Sequence, residues 1–241
     1  MDVVGFGHLD AYVNAWTYRA LRNAAAMLRA AGDRDMAGRC SDAALAMREP
    51  YARHLVNSET GWVAGWRSRD GQLHDAAYVW VNGVACAFGV LDKPVARRAL
   101  KALEALRANM GLTEVPLGLP VSLQPIPEAD QPRQVSEKAT GAQLELYCNG
   151  AMIPAMMGYY IRALAANGLK ATARRLARDM EKGFLADALS PGLSEGAEFF
   201  SWDGLACGYE GTFGPNFGPM YALAIERGLF TPPDPEWWPA G

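Results

Sequence analysis

The sequence predicts a mainly α-helical domain in which helices pair as hairpins and the hairpins form a toroid, or part of one. Half of the 241 residues are apolar, which is enough for one large core or two small ones. An apolar segment followed by a charged, amphipathic one occurs three times, over 9–56, 76–109 and 150–184. In a hairpin of two such helices, the apolar helix is buried inside and its amphipathic partner covers the outside.

The first repeat predicts two long helices. Residues 9–31 are Ala-rich with apolar periodicity, and Gly32 is expected to end this helix. Asp33 can then cap a second helix that runs to about Val56. We expect Pro50 to kink or interrupt that helix, because proline lacks the amide that a helix interior needs.

A short β-hairpin is predicted between the first two repeats. A turn at 57–61 precedes residues 62–74, whose middle contains the dipeptide Asp70-Gly71. Asp-Gly favours tight hairpin turns, because both positions tolerate a positive φ.

The remaining repeats predict four helices, and a seventh follows near the end of the chain. The third helix is apolar nearly all round, so it should be buried on most sides. The five predicted ranges are about 76–91, 94–109, 150–167, 169–184 and 216–227. We treat 1–241 as a single domain with a proline-rich loop at 111–147 and a proline-rich tail at 231–241.

Composition excludes several classes of function. A net charge of -3 and a pI near 5.7 provide no basic surface for nucleic acid. No apolar run reaches the roughly 20 residues of a membrane span, and the first residues do not resemble a signal peptide. The four cysteines are far apart, which favours free thiols in a reducing, cytoplasmic compartment. No metal-ligand spacing and no glycine-rich nucleotide motif is present, so we expect neither a metal nor a cofactor.

The stretch 194–215 is the strongest indication of function. Three of its carboxylates, Glu198, Asp203 and Glu210, lie among five aromatic residues. Aromatic rings stack on sugar C–H surfaces, and carboxylates bind hydroxyls or transfer protons. The pattern therefore predicts a carbohydrate-binding cleft. The alternative is a loop with solvated acids and core aromatics.

Glycoside hydrolysis needs two carboxylates, roughly 6.5–9.5 Å apart for inversion and about 5–5.5 Å for retention. Glu198 and Glu210 are our candidates for the base, and Asp10 is the candidate acid towards the N-terminal end. Each has a structural alternative: a solvated loop acid for Glu198, a residue leading into the last helix for Glu210, and a helix cap for Asp10.

Further residues are candidates for substrate binding because their side chains stack on sugars or bind hydroxyls. They are His8, Trp80, Asn82, Asn149, Tyr159, Trp202, Asp203 and Tyr209. Core packing, helix capping or, for Asp203, an Asx turn are the alternatives. We expect Asp75 to cap the third helix. Trp62 and Trp66 either wall the cleft or cover the core.

Five segments together resemble the six-hairpin glycosidases, whose fold is an (α/α)6 toroid and which include trehalase-like, glucosidase and debranching enzymes. The segments begin at Asp10 (Asp-Ala-Tyr-Val-Asn-Ala-Trp-Thr-Tyr-Arg-Ala-Leu), Asn57 (Asn-Ser-Glu-Thr-Gly-Trp), Trp80 (Trp-Val-Asn-Gly-Val-Ala), Tyr147 (Tyr-Cys-Asn-Gly-Ala-Met-Ile-Pro-Ala-Met-Met-Gly-Tyr-Tyr) and Phe200 (Phe-Ser-Trp-Asp-Gly). The resemblance implies a glycoside hydrolase acting on a small oligosaccharide or glycoside, with inversion.

The chain resembles only the C-terminal half of that domain, since a full toroid has twelve helices and seven are predicted here. The resemblance therefore implies a partial or short barrel, or a homo-oligomer or partner chain that completes the ring. Two other classes stay open. One is a non-hydrolytic toroid enzyme, such as an epimerase, lyase or cyclase. The other is a non-catalytic sugar-binding half.

Overall fold

The computed structural model describes residues 4–131, 147–186 and 197–210 and the single residue 224, with only the backbone for 208–210. These parts of the chain are mainly helical, as predicted, with short antiparallel strands. The α-helices in them are α1 Ala11–Ala30, α2 Arg34–Leu55, α3 Val79–Phe88, α4 Lys93–Asn109, α5 Pro154–Ala166 and α6 Lys170–Leu185. Of the predicted helix at 216–227, only residue 224 is described, and it is helical.

Two small antiparallel sheets accompany the helices. The strands are β1 Leu9–Asp10, β2 Trp66–Arg67, β3 Leu73–His74, β4 Ala197–Phe200 and β5 Ala206–Glu210. The β2–β3 hairpin confirms the prediction around Asp70-Gly71. β1 adds a third strand to it, with Asp10 opposite Trp66. Two residues are too few to show alternation, so the sequence did not predict β1.

The first two helices begin and end where the sequence predicts. Asp10 and Asp33 cap them, and their carboxylates accept hydrogen bonds from the amides of Val13 (2.9 Å) and Met36 (3.0 Å). Gly32 follows α1 with a φ of 88°, a left-handed conformation that terminates helices. α2 continues through Pro50 to its C-terminal end.

The third and fifth helices begin later than predicted. Ala77 has a φ of 52°, which no helical residue adopts, so α3 cannot start before it. Gly89 has a φ of 76° and ends the same helix. Pro154 occupies the first turn of α5, where its missing amide costs nothing. Ala151 and Met152 instead form backbone hydrogen bonds with Val121 and with Phe200 of β4.

The helices pack as consecutive pairs. α1 lies on α2, α3 on α4, and α5 on α6, while α3 also contacts both α1 and α5. α3 is buried along almost its whole length, as its apolar composition predicts. A methyl group on Gly83 of α3 would come within 3.0 Å of the Tyr160 amide nitrogen. This glycine therefore lets α3 and α5 approach closely.

Backbone hydrogen bonds join the loops at the N-terminal ends of α1, α3 and α5. Gly65 links the start of α1 to β3, since its carbonyl accepts from Ala11 and its amide donates to His74. Further along, Tyr78 pairs with Ser122, Pro120 with Met152, and Met152 with Phe200 of β4. We call this connected edge, formed by residues 9–10, 57–78, 111–131, 147–153 and 197–210, the rim.

Two loop predictions have different outcomes. In the described part of 111–147, regular structure is limited to one short 3-10 helix, Glu128–Asp130, as expected. By contrast, 197–210 forms the β4–β5 hairpin where we expected a loop. The apolar residues Ala197 and Phe200 are buried at the ends of β4, and pairing with Met152 holds this strand to the rim.

Helix length and the state of the cysteines bear on membrane insertion and on disulfide formation. None of the helices in the described ranges is long and apolar enough to cross a bilayer. All four cysteines are free thiols, and Cys86 and Cys148 are buried.

Candidate functional site

Asp10 lies where the rim meets α1. Its carboxylate accepts the Val13 amide, so it serves as the helix cap that was its structural alternative. Partial burial raises the pKa of Asp10 above its ordinary value of 3.8, although amide hydrogen bonds from Val13 and Tyr12 oppose the shift. A carboxyl group with a raised pKa holds its proton to higher pH, as a general acid requires.

A row of aromatic rings begins beside Asp10. Tyr12 contacts Trp80 edge to face, with ring centroids 4.5 Å apart, and Trp16 lies one helical turn further along α1. Trp16 in turn contacts Tyr159 of α5 at 5.6 Å. We call Tyr12, Trp16, Trp80 and Tyr159 the aromatic row. Three of these rings are half-buried and keep part of their surface accessible; Trp80 is buried.

The two phenol groups of the aromatic row stay protonated at neutral pH. Burial raises the pKa of Tyr12, and the nearby charge of Asp10 raises it further. Burial also raises the pKa of Tyr159, against the opposing charge of Arg162. A neutral phenol can donate and accept hydrogen bonds, which suits binding of sugar hydroxyls.

Trp80 and Asn82 are deeper than a substrate contact requires. Trp80 is only 2% exposed and packs against the buried side of Tyr12. Asn82 is fully buried, and its amide exchanges hydrogen bonds of 2.8 Å with both backbone groups of Val63 and donates to the Tyr78 carbonyl. Asn82 therefore fastens the loop before β2 to α3. The geometry favours the buried alternative for both residues.

Asn149 and Trp202 also make internal contacts. The Asn149 side chain accepts a 2.7 Å hydrogen bond from the Ile126 amide, and it is buried. It does not cap α5, whose cap position is Ile153. The indole of Trp202 donates to the Gly150 carbonyl at 2.7 Å. Trp202 stays half-exposed, so one part of its ring remains available at the rim.

Asp203 makes the turn between β4 and β5. Its carboxylate accepts the Ser201 hydroxyl and, at 3.5 Å, the Leu205 amide. These bonds, led by the one from Ser201, lower the pKa of Asp203. This is the Asx-turn alternative, in which an exposed, ionised carboxylate shapes a hairpin turn.

The two candidate bases lie on the β4–β5 hairpin. Glu198 is half-buried on β4, two residues before the Phe200 backbone that binds Met152. Glu210 lies at the end of β5, opposite Ala197 in the ladder. The side chains of Glu210 and Tyr209 lie outside the described part of the chain. The roles of Glu198, Tyr209 and Glu210 therefore stay predictions.

Asp75 does not cap α3, contrary to expectation. Its carboxylate accepts hydrogen bonds from the Trp62 indole (2.9 Å), the Asn57 amide group (2.8 Å) and the Ala77 backbone amide (2.9 Å). The cap position of α3 is Tyr78, which has no capping side chain. Asp75 instead holds the loop after α2 and stabilises the left-handed backbone at Ala77.

The remaining rim residues divide between surface and core. His8 is exposed, directly before β1. Trp62 and Trp66 are 6% and 2% exposed, so both cover the core and neither forms a wall of a cleft. Trp66 also stacks on His74 with ring centroids 4.5 Å apart.

Sequence reasoning missed Tyr12 and Trp16. Their four-residue spacing at the start of an apolar helix places them on one helical face, and that signal was available. Both belong to a segment whose apolar residues read as core. Only their half-buried state and their contacts with Trp80 and Tyr159 distinguish them as accessible rings.

No protein-family model and no curated protein matches the sequence. Among solved structures, a chain described as a sialidase superposes with a TM-score of 0.58 at 15% sequence identity. The match covers 90% of this chain and 19% of that chain, so this chain spans about a fifth of the neighbour's length. At this level of identity, the similarity concerns the fold.

Proposed function

We propose that the chain is a glycoside-hydrolase domain of the helical-hairpin toroid type, acting on a small oligosaccharide or glycoside with inversion. The observation that carries the proposal is the position of Asp10. Its desolvated carboxyl group lies at the start of an accessible row of aromatic rings. A carboxyl group with a raised pKa beside stacking surfaces suits the acid that cleavage of a glycosidic bond requires.

The paired base comes from the β4–β5 hairpin in this proposal. Glu198 and Glu210 are the candidates, and the pairing of Phe200 with Met152 supports a place for the hairpin on the rim that also holds Asp10. In inversion, the base activates a water molecule on the face of the sugar opposite the acid. We assign binding of hydroxyls or ring faces to Tyr12, Trp16 and Tyr159, with Trp202 at the hairpin.

The fold comparison supports the proposal without identifying the substrate. The neighbour is described as a sialidase, and the superposition extends over most of this chain. We propose that residues 1–241 form one domain with a partial toroid, and that a second copy or a partner chain completes the ring. Four free thiols support a cytoplasmic location.

Hydrolysis of a panel of aryl glycosides and short oligosaccharides by the purified chain tests this proposal. Asp10→Asn should reduce turnover by about 100-fold or more, because the amide cannot donate the acid's proton. Asparagine caps helices as well as aspartate, so the melting temperature should change little. Glu198→Gln and Glu210→Gln identify the base, and loss of turnover in one of them is sufficient.

Asp33→Asn is the matched control. Asp33 caps α2 through the same contact that Asp10 makes to α1, yet it is exposed and lies away from the rim. The control should keep full turnover. Equal activity in the Asp10 and Asp33 variants would contradict the assignment of Asp10 as the acid.

The same substrate panel, combined with calorimetry, distinguishes the alternative functions. Binding of a sugar by calorimetry without any turnover would support a non-catalytic sugar-binding half. A product with the same mass as the substrate would identify an epimerase. A product with a new double bond would identify a lyase.

A further inference from the structure

A second cluster of reactive side chains lies on the β2–β3 hairpin. The His74 ring is hydrogen-bonded on both sides. Its Nδ1 lies 2.8 Å from Oδ1 of Asp130, and its Nε2 lies 3.1 Å from Oγ of Ser68. The chain thus contains a serine, a histidine and an aspartate in consecutive hydrogen-bonding contact, in the order of a nucleophile, a base and the acid that orients it.

We propose that Ser68, His74 and Asp130 form a nucleophilic site that hydrolyses small carboxylic esters. This activity is independent of the proposed glycoside hydrolysis, because it uses none of the carboxylates assigned to that reaction.

Rigid surroundings hold the base in place. The His74 ring stacks on Trp66 with an interplanar angle of 7°, and Trp66 is buried. The side chains of His74 and Asp130 are only 13% and 10% exposed. Asp130 is itself fixed, because its backbone carbonyl accepts the Gly5 amide at 2.7 Å. These contacts keep the Asp130–His74 pair partly shielded from water.

The contact with Asp130 assigns a proton to Nδ1 of His74. A carboxylate only accepts, so Nδ1 carries the proton that is donated to Asp130. In a neutral ring with that proton, the Nε2 lone pair faces the Ser68 oxygen at 3.1 Å, and it accepts the hydroxyl proton only when Ser68 does not donate that proton to Asp70 or to the Gln72 carbonyl. This is the arrangement in which His74 can take the serine proton while Asp130 stabilises the imidazolium that forms.

The reaction balances with water as the only co-substrate. The Ser68 oxygen attacks the ester carbonyl and forms a new C–O bond, while its proton moves to Nε2 of His74. Collapse of the tetrahedral intermediate breaks the ester C–O bond, and the leaving alcohol takes that proton. Water then attacks the acyl-serine with His74 as base, which releases the carboxylic acid and restores Ser68.

The backbone amide next to the nucleophile is our candidate donor for the oxyanion. The backbone amide of Arg69, the residue after the nucleophile, has no acceptor among the described residues. Amides at this position in the chain bind the carbonyl oxygen in other serine hydrolases. Ser68 is half-exposed on a short turn, so a small ester can reach it.

Asp70 competes for the same proton. The Ser68 hydroxyl is also hydrogen-bonded to Oδ1 of Asp70, an exposed carboxylate whose pKa is lowered mainly by that bond. A hydroxyl donates only one proton. While Ser68 donates to Asp70, His74 cannot act on it, so Asp70 should restrain the nucleophile.

Labelling of the full-length chain with a fluorophosphonate, followed by peptide mass spectrometry, tests the proposal. We expect the label on Ser68, with slow hydrolysis of p-nitrophenyl acetate. His74→Gln should slow labelling by about 100-fold. Asp70→Ala should accelerate it several-fold, because it removes the closer of two competing acceptors, the other being the Gln72 carbonyl at 3.3 Å. Ser58→Ala, at an exposed serine of the neighbouring 57–61 turn, should label like the wild type.

A purely structural role for Ser68 predicts different results. In that case the folded protein carries no label on Ser68, or Asp70→Ala lowers the melting temperature without faster labelling. Either result overturns the proposal. If His74→Gln does not fold, the pH profile of the wild type replaces it. Labelling must then rise with pH to a plateau, since only neutral imidazole accepts a proton, and a flat profile overturns the proposal.

Discussion

At the scale of single residues, the same side-chain type has different roles that its surroundings decide. Asp10 and Asp33 both cap helices, but only Asp10 is partly buried beside aromatic rings. Asp203 is exposed and has a lowered pKa through its turn contacts. Capping explains the aspartate at the start of α1 and of α2, whereas burial distinguishes Asp10, whose pKa is raised.

The raised pKa of Asp10 predicts a pH dependence of stability. Its pKa in the folded state lies above the unfolded value, so the folded protein binds the proton first as pH falls. The contribution of Asp10 to stability is therefore fully present below about 3.8 and is lost as pH rises through the raised pKa. The wild type should gain stability over Asp10→Asn as pH is lowered from 7 towards 4.

Urea denaturation of both proteins at several pH values between 7 and 4 measures this difference. Asp33→Asn again serves as the control. A difference between the wild type and Asp10→Asn that stays constant with pH, or that shrinks as pH falls, would show that burial does not raise the pKa of Asp10.

At the scale of elements, close packing of α3 against its neighbours positions the aromatic row. α3 contacts α1, α4 and α5, and its first turn carries Trp80, on which Tyr12 packs. Gly83, one turn further along, brings α5 near. Tyr159 of α5 can therefore reach Trp16 of α1, which is the contact that continues the row between the two helices.

Gly83→Ala tests this packing. The new methyl group would lie 3.0–3.3 Å from Tyr160 backbone and Cβ atoms, closer than ordinary contact. We expect the free energy of unfolding to fall by about 1–3 kcal/mol, as for other over-packed cores. Chemical denaturation measures the change.

Gly38→Ala provides the comparison for that substitution. Gly38 lies inside α2, and a methyl group there would meet nothing within 4 Å. Alanine should stabilise this helix by about 0.5–1 kcal/mol. If both variants gain stability, α3 and α5 are not as close as the geometry indicates.

At the scale of the whole molecule, a few long-range contacts connect the helical pairs. Glu104 of α4 is the centre of one such group. It accepts from the buried Tyr160 hydroxyl of α5 at 3.1 Å and pairs with Arg107 at 2.6 Å and with Arg175 of α6 at 3.6 Å. One carboxylate thus connects three helices.

Glu104→Ala should destabilise the chain by about 3 kcal/mol, because it leaves the Arg107 guanidinium buried without its carboxylate. The Arg107 side chain is only 4% exposed. Thermal and urea unfolding measure the loss. Glu49→Ala is the control, since Glu49 pairs with Arg53 on the surface at 3.3 Å and should contribute less than about 0.5 kcal/mol. Similar effects in both variants would contradict a structural role for Glu104.

The fold was predictable to a greater extent than the candidate site. Helix periodicity and the glycine and aspartate signals located α1, α2 and the β2–β3 hairpin. They failed at Ala77, where an alanine takes a left-handed conformation that the Asp75 carboxylate stabilises through the Ala77 amide. They also failed at β4, whose pairing partner Met152 lies 48 positions earlier in the chain. Such long-range pairing leaves no local signal.

The sequence by itself determined that this chain is mainly helical, that its apolar and amphipathic helices alternate, and that Asp10 and Asp33 start helices. These features depend on residues within a few positions of each other, so local periodicity and capping express them. Only the tertiary structure decided which polar and aromatic side chains remain accessible. Burial depends on what packs against a residue from elsewhere in the chain. For this reason Asn82 is buried and hydrogen-bonds the loop before β2, while Tyr12 and Trp16 stay half-buried and keep part of their rings accessible.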